Sequence, residues 1–298
     1  MTPSPPASHG HGNLRGVLAM LAAVGCFSLM DALLKTLAGH YPPMQVAALR
    51  GLAALPLVVA FVLWQRQAHT LLQVRWRLHL LRGVLVVVML ALFTYGLQTL
   101  GLAEAYTLFF IAPLLITALS APVLGERVRP SHWLAIGIGL VGVLVALRPD
   151  QSAMLTLGGL AVLAAAICYA VSAVAGRVLT RTDSSSTIVF WTTTMLAAGA
   201  GVLAFPGWVG VSPDHWPLVA GLAITGFLGQ TAITEAFRYG QAAVVAPFEY
   251  TALAWGVGLD WVLWQALPDG TTLVGGAIII GSGIFLVRSE RRRNRPSA

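Results

Sequence analysis

The chain has 298 residues, of which 57% are hydrophobic and 10% are charged, and its formal net charge is +7. An average soluble domain carries about 25% charged residues, so this composition excludes an ordinary soluble fold. The basic residues are scattered through short connections and form no continuous face, which argues against binding to nucleic acid. We therefore expect a protein whose surroundings are a lipid bilayer and whose partners do not include nucleic acid.

Ten apolar segments follow one another along the chain, each close to the length of about 20 residues that crosses a bilayer. They are predicted at 14–38, 44–64, 78–98, 102–124, 131–147, 157–180, 187–206, 215–237, 241–265 and 271–288. The connections are short, and most contain Pro, Gly, Asp or Arg. The flanking segments 1–13 and 289–298 are predicted to be a disordered tail and a basic tail, both cytoplasmic.

The first and sixth apolar segments resemble each other when they are aligned at an offset of 142 residues. Leu18 to Leu37 and Leu160 to Leu179 then share several Leu and Ala positions, and Cys26 coincides with Cys168. This agreement indicates an internal duplication. Both cysteines lie in the middle of apolar segments, which predicts a packing role for them.

The basic residues predict the orientation of the chain, because Arg and Lys in short connections stay on the cytoplasmic side. Most of the 18 basic residues fall at the end of the predicted bundle that carries both termini, so both termini are predicted to be cytoplasmic. Five segments per copy reverse the second copy in the membrane. The predicted fold is an all-α integral membrane protein of ten transmembrane helices, arranged as two inverted five-helix repeats at 14–149 and 157–288.

The stretch 103–149 carries a mid-segment proline, Pro113, a Leu124-Gly125-Glu126-Arg127 connection and a glycine-spaced segment that ends in Leu147-Arg148-Pro149. This stretch resembles the EamA unit of the drug/metabolite transporter superfamily, and so does the second copy at 243–288. The resemblance covers nearly the whole chain. It implies ten spans with cytoplasmic termini and a role in moving small organic solutes across the inner, cytoplasmic membrane.

The second copy departs from this pattern at two places when it is aligned at an offset of 140. Trp264-Gln265-Ala266 stands against Leu124-Gly125-Glu126, so the Gly-Glu pair is missing. Pro247 lies six residues before the position that matches Pro113. Pro113 and Pro247 are nevertheless predicted to be hinges, because a proline interrupts helical hydrogen bonding. The segment 245–253 resembles superfamily members associated with amino acids, carboxylates or amines.

Ionisable residues inside apolar segments are costly, by about 2.5–3.5 kcal/mol each, unless they have a partner or face a cavity. Arg50 has no acid within reach on its own predicted helix, so we expect it to face a substrate cavity. The alternative is that Arg50 pairs with Asp31 or Glu104 and holds the outer ends of the spans together. Asp31 is one helical turn from Lys35, and it either pairs with this lysine or lines the same cavity. Asp260 lies near a segment end, where snorkelling towards the interface explains its charge.

Glu249 is the second acidic candidate for the cavity, because it lies beside Pro247 in the ninth segment. A carboxylate next to a proline-freed carbonyl can hold a proton or a cationic group. The alternative is that Glu249 forms an ion pair with Arg238 or Arg177. We expect Glu126 to have a structural or gating role rather than to bind substrate.

Several aromatic residues lie deep in the predicted segments, where each either packs in the core or lines a largely apolar cavity between the repeats. The cavity candidates are Tyr95, Phe109, Phe110, Trp191, Tyr250 and Trp255, with Phe27 and Tyr169 at similar depth. Glycines of the fifth and tenth segments allow close helix packing, either between the two halves or in a homodimer. These glycines include Gly137, Gly139, Gly142, Gly275 and Gly276.

These patterns predict a secondary transporter of a small organic metabolite of the amino acid, carboxylate or amine type, which works by alternating access. The chain has no phosphate-cradling Gly-x-x-x-x-Gly-Lys-Ser/Thr loop, so ATP does not drive it directly. No cofactor, metal or catalytic residue is predicted, and protons are a candidate coupling ion. The alternatives are an exporter of lipophilic drugs or cations, a pore, and a membrane-embedded enzyme acting on lipid. Dispersed histidines without a paired spacing argue against the enzyme.

Overall fold

The computed structural model describes residues 9–96, 99–100, 102–148, 156–265 and 270–293. Within these ranges the fold is all-α, and ten segments are long and apolar enough to cross a membrane. The helices are α1 (His9–Ala38), α2 (Pro43–Trp64), α3 (Trp76–Gly96), α4 (Leu102–Phe109), α5 (Ala112–Leu124), α6 (Pro130–Leu147), α7 (Leu157–Leu179), α8 (Ser185–Ala204), α9 (Trp216–Tyr239), α10 (Ala242–Val245), α11 (Thr251–Trp264) and α12 (Gly270–Arg293).

The ten predicted spans are confirmed, and the differences lie at the two ends of the chain. Helix α1 begins at His9, inside the segment 1–13 that was expected to be a disordered tail. The Asn13 side chain accepts a hydrogen bond from the backbone N–H of Gln241 at 3.1 Å, which places the first turns of α1 against the start of the ninth span. Helix α12 likewise continues to Arg293, inside the expected tail 289–298.

The fourth and ninth spans are each interrupted beside a predicted hinge proline. In the fourth span, α4 ends at Phe109 and α5 begins at Ala112, with Pro113 in its first turn. In the ninth span, α10 is followed by a 3-10 segment, Ala246–Tyr250, which contains Pro247. A proline removes a helical donor and clashes with the preceding turn, so both interruptions have a local cause.

The two interruptions lie at equivalent positions of the repeats, although the two prolines do not. At the offset of 140 residues, Phe110 and Ile111 match Tyr250 and Thr251, where the 3-10 segment ends and α11 begins. The sequence left open whether the fourth and ninth spans bend symmetrically. The structure interrupts both at the same level of the repeat, so each half contains one span made of two helical pieces.

Helix packing follows an internal two-fold relation between the repeats. Helix α1 packs on α9, and α7, which is the repeat equivalent of α1, packs on α3, the equivalent of α9. Helix α2 packs on its own equivalent α8, and α6 packs on its own equivalent α12. Such an exchange of partners is expected when two copies face each other in opposite orientations, and it confirms the inverted repeats.

The glycines of α6 and α12 join the two halves at one face and leave another face open. A Cβ atom at Gly275 would lie 2.5 Å from the carbonyl oxygen of Gly142, so these two helices approach at backbone distance. A Cβ atom at Gly137 or Gly276 would meet nothing within 4 Å. The packing between halves therefore uses Gly142 and Gly275, while a homodimer through the open face stays a prediction.

Helix α1 starts at the same end of the bundle at which α12 finishes, and we call it the terminal end. We call the other end of the bundle the opposite end. The described connections at the terminal end are 65–75, 125–129, 180–184 and 240–241, and those at the opposite end include 39–42 and 205–215. Contacts across the repeats support this division, because the Tyr41 hydroxyl bonds to His215 Nδ1 at 2.7 Å. The two ends allow the depth of each site residue to be stated.

Candidate functional site

Asp31 and Arg50 lie on adjoining helices, each about two turns inside the opposite end of the bundle. Asp31 belongs to the last third of α1, and Arg50 to the first third of α2. The two charges attract each other electrostatically, and the Asp31 side chain is exposed. An exposed carboxylate beside a half-buried guanidinium is the arrangement expected at the wall of an open cavity. The side chains of Lys35, Glu104 and Asp260 lie outside the described residues. The alternative pairings of Asp31 with Lys35 and of Arg50 with Glu104 therefore stay predictions.

Arg50 occupies a cleft between α2, α8 and α9. The cleft is lined by Arg50, Gly51, Ala54, Thr192, Thr193, Leu196, Gly226 and Gln230. The Arg50 Cζ atom lies 5.5 Å from the ring centre of Phe27 in α1, a distance at which a cation–π interaction is attractive. The Arg50 side chain lies against α9, since a Cβ atom at Gly226 would be in van der Waals contact with Arg50 Nε, at 3.4 Å. Gln230 Nε2 is buried without a hydrogen-bond partner among the described residues.

Glu249 lies in the 3-10 segment of the ninth span, towards the terminal end. The Tyr169 hydroxyl of α7 donates a hydrogen bond to Glu249 Oε1 at 3.1 Å. Arg177 instead pairs with Glu126 at 3.3 Å, and Arg238 donates to Ser185 Oγ at the start of α8 and to the carbonyl oxygen of Asp183. These contacts contradict the alternative in which Glu249 forms an ion pair with Arg177 or Arg238, because both arginines are held nearer the terminal end.

Arg82 of α3, six residues after Trp76, is a candidate site residue that the sequence analysis did not name. It interacts electrostatically with Tyr169, the residue that binds Glu249. A Cβ atom at Gly176 would lie 3.2 Å from Arg82 Cζ, so the glycine gives the guanidinium room against α7. The Nε and Nη1 atoms of Arg82 are buried and have no hydrogen-bond partner in the described part of the chain.

Half of the eight aromatic residues named from the sequence form, with Phe93 and Tyr106, a continuous series of ring contacts between the repeats. The ring centres are separated by 5.3 Å for Phe93–Phe109, 5.4 Å for Phe109–Tyr169, 5.8 Å for Phe93–Tyr106, 6.4 Å for Tyr106–Phe110 and 5.7 Å for Phe110–Tyr250. Tyr106 also interacts electrostatically with Asp31. The series therefore connects the surroundings of Asp31 to those of Glu249, and Tyr106 and Phe93 are members that the sequence analysis did not name.

Three predicted cavity residues lie apart from this series. The Trp191 indole N–H donates to the backbone oxygen of Leu71 at 2.9 Å, which favours a packing role at the terminal end. The Tyr95 side chain, at the opposite end of α3, is 47% exposed. The Trp255 ring packs across α1, because a Cβ atom at Gly25 would lie 3.1 Å from it.

Glu126 lies at the terminal end and joins the first repeat to the second. Its Oε1 atom accepts from Arg177 Nε at 3.3 Å, and its Oε2 atom accepts from the backbone N–H of Ala243 at 3.3 Å. Arg177 Nη1 also donates to the carbonyl oxygens of Phe237 and of Arg238. We call these five residues the Glu126 cluster. They tie the α5–α6 connection to α7, to the end of α9 and to the start of α10.

His79 and Asp183 form a second buried contact at the terminal end, which the sequence analysis did not anticipate. His79 Nε2 lies 2.8 Å from Asp183 Oδ2, and the two side chains are 1% and 5% exposed. The contact joins α3 of the first repeat to the α7–α8 connection of the second. It therefore adds to the closure of this end and does not belong to the aromatic site.

Comparison with known proteins agrees with this architecture. The profile of the EamA-like transporter family matches residues 14–148 and 156–289. A pseudopaline exporter of Pseudomonas aeruginosa is 28% identical over 282 residues, covering 93% of this chain and 97% of that protein. A riboflavin transporter of Vibrio cholerae is 27% identical over 96% of this chain and 97% of its own length.

Two further comparisons extend the agreement. An S-adenosylmethionine uptake transporter of Rickettsia prowazekii is 24% identical over 94% of this chain and 94% of its own length. A protein of known crystal structure, at 23% identity, superposes with a TM-score of 0.81 over 94% of this chain and 99% of that chain, which shows the same fold. The family and these relatives are membrane transporters and not enzymes. Since the family profile matches both repeats, the chain belongs to the EamA-like transporter family.

Proposed function

We propose that this protein is a secondary transporter that moves a small organic metabolite of the amino acid, carboxylate or amine type across the cytoplasmic membrane. The observation that carries the proposal is the meeting of polar residues from both repeats around one aromatic series. Asp31 and Arg50 come from the first repeat, and Tyr169 and Glu249 from the second. An inverted-repeat carrier places its substrate at such an interface.

The interrupted spans supply the flexibility that alternating access requires. Phe110 of the aromatic series lies at the interruption of the fourth span, and Glu249 and Tyr250 lie at that of the ninth. A bend at either point changes the position of a residue that contacts the site. Pro113 and Pro247 therefore act as hinges beside the substrate rather than at the membrane surface.

The relatives support the substrate class without naming the substrate. Their names describe the export of pseudopaline and the transport of riboflavin and S-adenosylmethionine, all of which are organic solutes. The alternative is export of a lipophilic cation, which an aromatic cavity with Asp31 and Glu249 would also suit. The two functions differ in whether Arg50 contacts the substrate.

The experiment is a ligand panel on purified protein, measured as thermal stabilisation and then as exchange in proteoliposomes. The panel contains amino acids, dicarboxylates, polyamines and lipophilic cations. We expect stabilisation by carboxylate-bearing compounds, less in Arg50→Lys and least in Arg50→Ala, because lysine lacks the bidentate fork. Arg66→Ala, at an exposed position of the α2–α3 connection, is the matched control. A response confined to lipophilic cations would favour the alternative.

The orientation and the coupling ion belong to the same proposal. With both native cysteines replaced by serine, a cysteine at Gln73 is expected to react only from the cytoplasm and one at Asp214 only from outside. If protons drive transport through Glu249, then Glu249→Gln removes the response to an imposed pH gradient while substrate exchange continues. Equal gradient dependence in this variant and the parent would exclude Glu249 as the coupling group.

A further inference from the structure

We infer that Arg82 is a second anion-binding residue of the transport site, and that the transported molecule carries two anionic groups, one for Arg50 and one for Arg82. The inference rests on the proposed function, because it names the substrate class of the same cavity. It goes beyond that proposal by assigning a residue and a charge pattern to the substrate. The argument starts from the hydrogen-bond donors that the described protein leaves unused.

Arg82 presents two buried donors, Nε and Nη1, without a partner among the described residues. Buried polar groups in native proteins are nearly always hydrogen-bonded, so an unused guanidinium inside a membrane span requires an explanation. Tyr169, which interacts electrostatically with Arg82, donates its hydroxyl to Glu249 Oε1. Arg82 therefore lies beside the aromatic series, and its Nε and Nη1 atoms can donate hydrogen bonds to a ligand.

The Arg50 cleft, nearer the opposite end of the bundle, also contains a hydrogen-bond donor without a partner among the described residues. Arg50 is attracted by Asp31, and Gln230 Nε2 in the same cleft is buried without a partner among the described residues. A Cβ atom at Gly226 would lie 3.4 Å from Arg50 Nε, and one at Gly176 would lie 3.2 Å from Arg82 Cζ. Each arginine is thus set against a glycine of a helix from the second repeat, which places both at the interface between the repeats.

The two arginines lie at different depths, which sets the size of the substrate. Arg50 is about two turns inside the opposite end, and Arg82 is nearly two turns inside the terminal end. At about 1.5 Å per helical residue in a layer of about 30 Å, their Cα levels differ by about 10 Å. Two carboxylates joined by several bonds would satisfy both guanidinium groups. A molecule with one carboxylate would leave one of them unpaired.

The test compares dicarboxylates with their monomethyl esters, which keep the skeleton and remove one charge. The probes are succinate, glutarate, adipate and pimelate, and binding to the purified full-length protein is measured by calorimetry. We expect at least one dicarboxylate to bind about tenfold or more tightly than its ester. Arg82→Gln and Arg50→Gln should each abolish this preference, whereas Arg66→Gln, which lies in an exposed connection, should keep it.

Each outcome decides the inference. No preference for any dicarboxylate, or a preference that survives Arg82→Gln, overturns it. If Arg82→Gln does not elute as a single folded species, Arg82→Lys replaces it, and an unchanged preference in that variant overturns the inference too. Saturable exchange of amino acids or amines that is independent of Arg82 would overturn it while the proposed transport function stands. Failure of every solute to exchange would contradict the transport function itself.

Discussion

The two ends of the bundle are built from equivalent parts of the two repeats, and each end contains its own copy of one close backbone contact. A Cβ atom at Gly16 of α1 would lie 2.6 Å from the Cα atom of Gly240, at the end of α9. The equivalent Gly158 of α7 meets the end of α3, where a Cβ atom would be 3.3 Å from the carbonyl oxygen of Gly96. A glycine near the start of the first helix of each repeat thus allows a helix of the other repeat to pack closely against it.

The ends differ in charge, because only the terminal end contains the Glu126 cluster. At the offset of 140 residues, Ala266 takes the position of Glu126, so the sequence supplies no carboxylate there in the second repeat. At the opposite end, the described contact across the repeats joins the Tyr41 hydroxyl to His215 Nδ1 and to the N–H of Ser212, and no carboxylate takes part in it. The Glu126–Arg177 ion pair therefore has no counterpart at the matching sequence position of the second repeat, and it favours closure of the terminal end.

The largest expected effect is that of Glu126→Ala. The Arg177 and Glu126 side chains are 15% and 6% exposed, and removing one partner of a buried ion pair leaves an uncompensated charge. We expect a loss of about 3 kcal/mol in the stability of the protein. Thermal unfolding in detergent measures this loss.

The same variant tests whether the Glu126 cluster closes the terminal end. Hydrogen–deuterium exchange should rise across 240–250, since the Ala243 N–H loses its acceptor. Glu126→Gln keeps an acceptor for that N–H and should have a smaller effect on exchange. Unchanged exchange in Glu126→Ala would show that the cluster does not hold the start of the ninth span.

The second prediction concerns the contact that the ends share. Gly16→Ala introduces a methyl group 2.6 Å from the Gly240 Cα atom, and Gly158→Ala introduces one that would clash with Thr99 Oγ1 and lie 3.3 Å from the carbonyl oxygen of Gly96. Each should destabilise the protein by about 2 kcal/mol. Gly137→Ala is the control, because a Cβ atom there meets nothing within 4 Å. A large loss in only one of the two variants would mean that the ends are not equivalent in packing.

The sequence allowed the architecture to be predicted more completely than the site. The ten spans follow from hydropathy and length, and the repeats follow from the identities around Cys26 and Cys168, which are local properties of the chain. Pro113 and Pro247 indicated where the fourth and ninth spans are interrupted. No local pattern indicated that the interruption of the ninth span extends as a 3-10 segment to Tyr250.

The site depends on contacts between helices that are far apart in sequence, and this is why part of it was missed. Arg82 lies close enough to a predicted span end to be taken for an interfacial residue, and only the proximity of Tyr169 and Gly176 identifies it. Trp191 has the right depth, yet its indole is directed to Leu71. Depth along a helix can be read from sequence, whereas the face that a side chain presents requires the packing.

A smaller effect is expected at the opposite end, from Tyr41→Phe. The hydroxyl accepts from the N–H of Ser212 at 2.9 Å and bonds to His215 at 2.7 Å, so its loss should cost about 1 kcal/mol. Tyr239→Phe is a suitable control, because Tyr239 is exposed and its ring stays available to Arg15. A loss as large as that in Glu126→Ala would contradict the view that the terminal end is the more firmly closed.

The smallest expected effect is that of Glu235→Gln, which also lies at the terminal end. Glu235 is one turn from Arg238 in α9, the ion-pair distance is 3.8 Å, and the two side chains are 28% and 27% exposed. A partly exposed pair within one helix is worth less than about 0.5 kcal/mol, and Arg238 keeps its bonds to Ser185 and to the carbonyl oxygen of Asp183. The unfolding temperature should therefore match that of the parent. A drop comparable to that of Glu126→Ala would mean that any carboxylate at this end stabilises the closed bundle, whereas an unchanged value assigns the difference between the ends to the buried pair that joins the repeats.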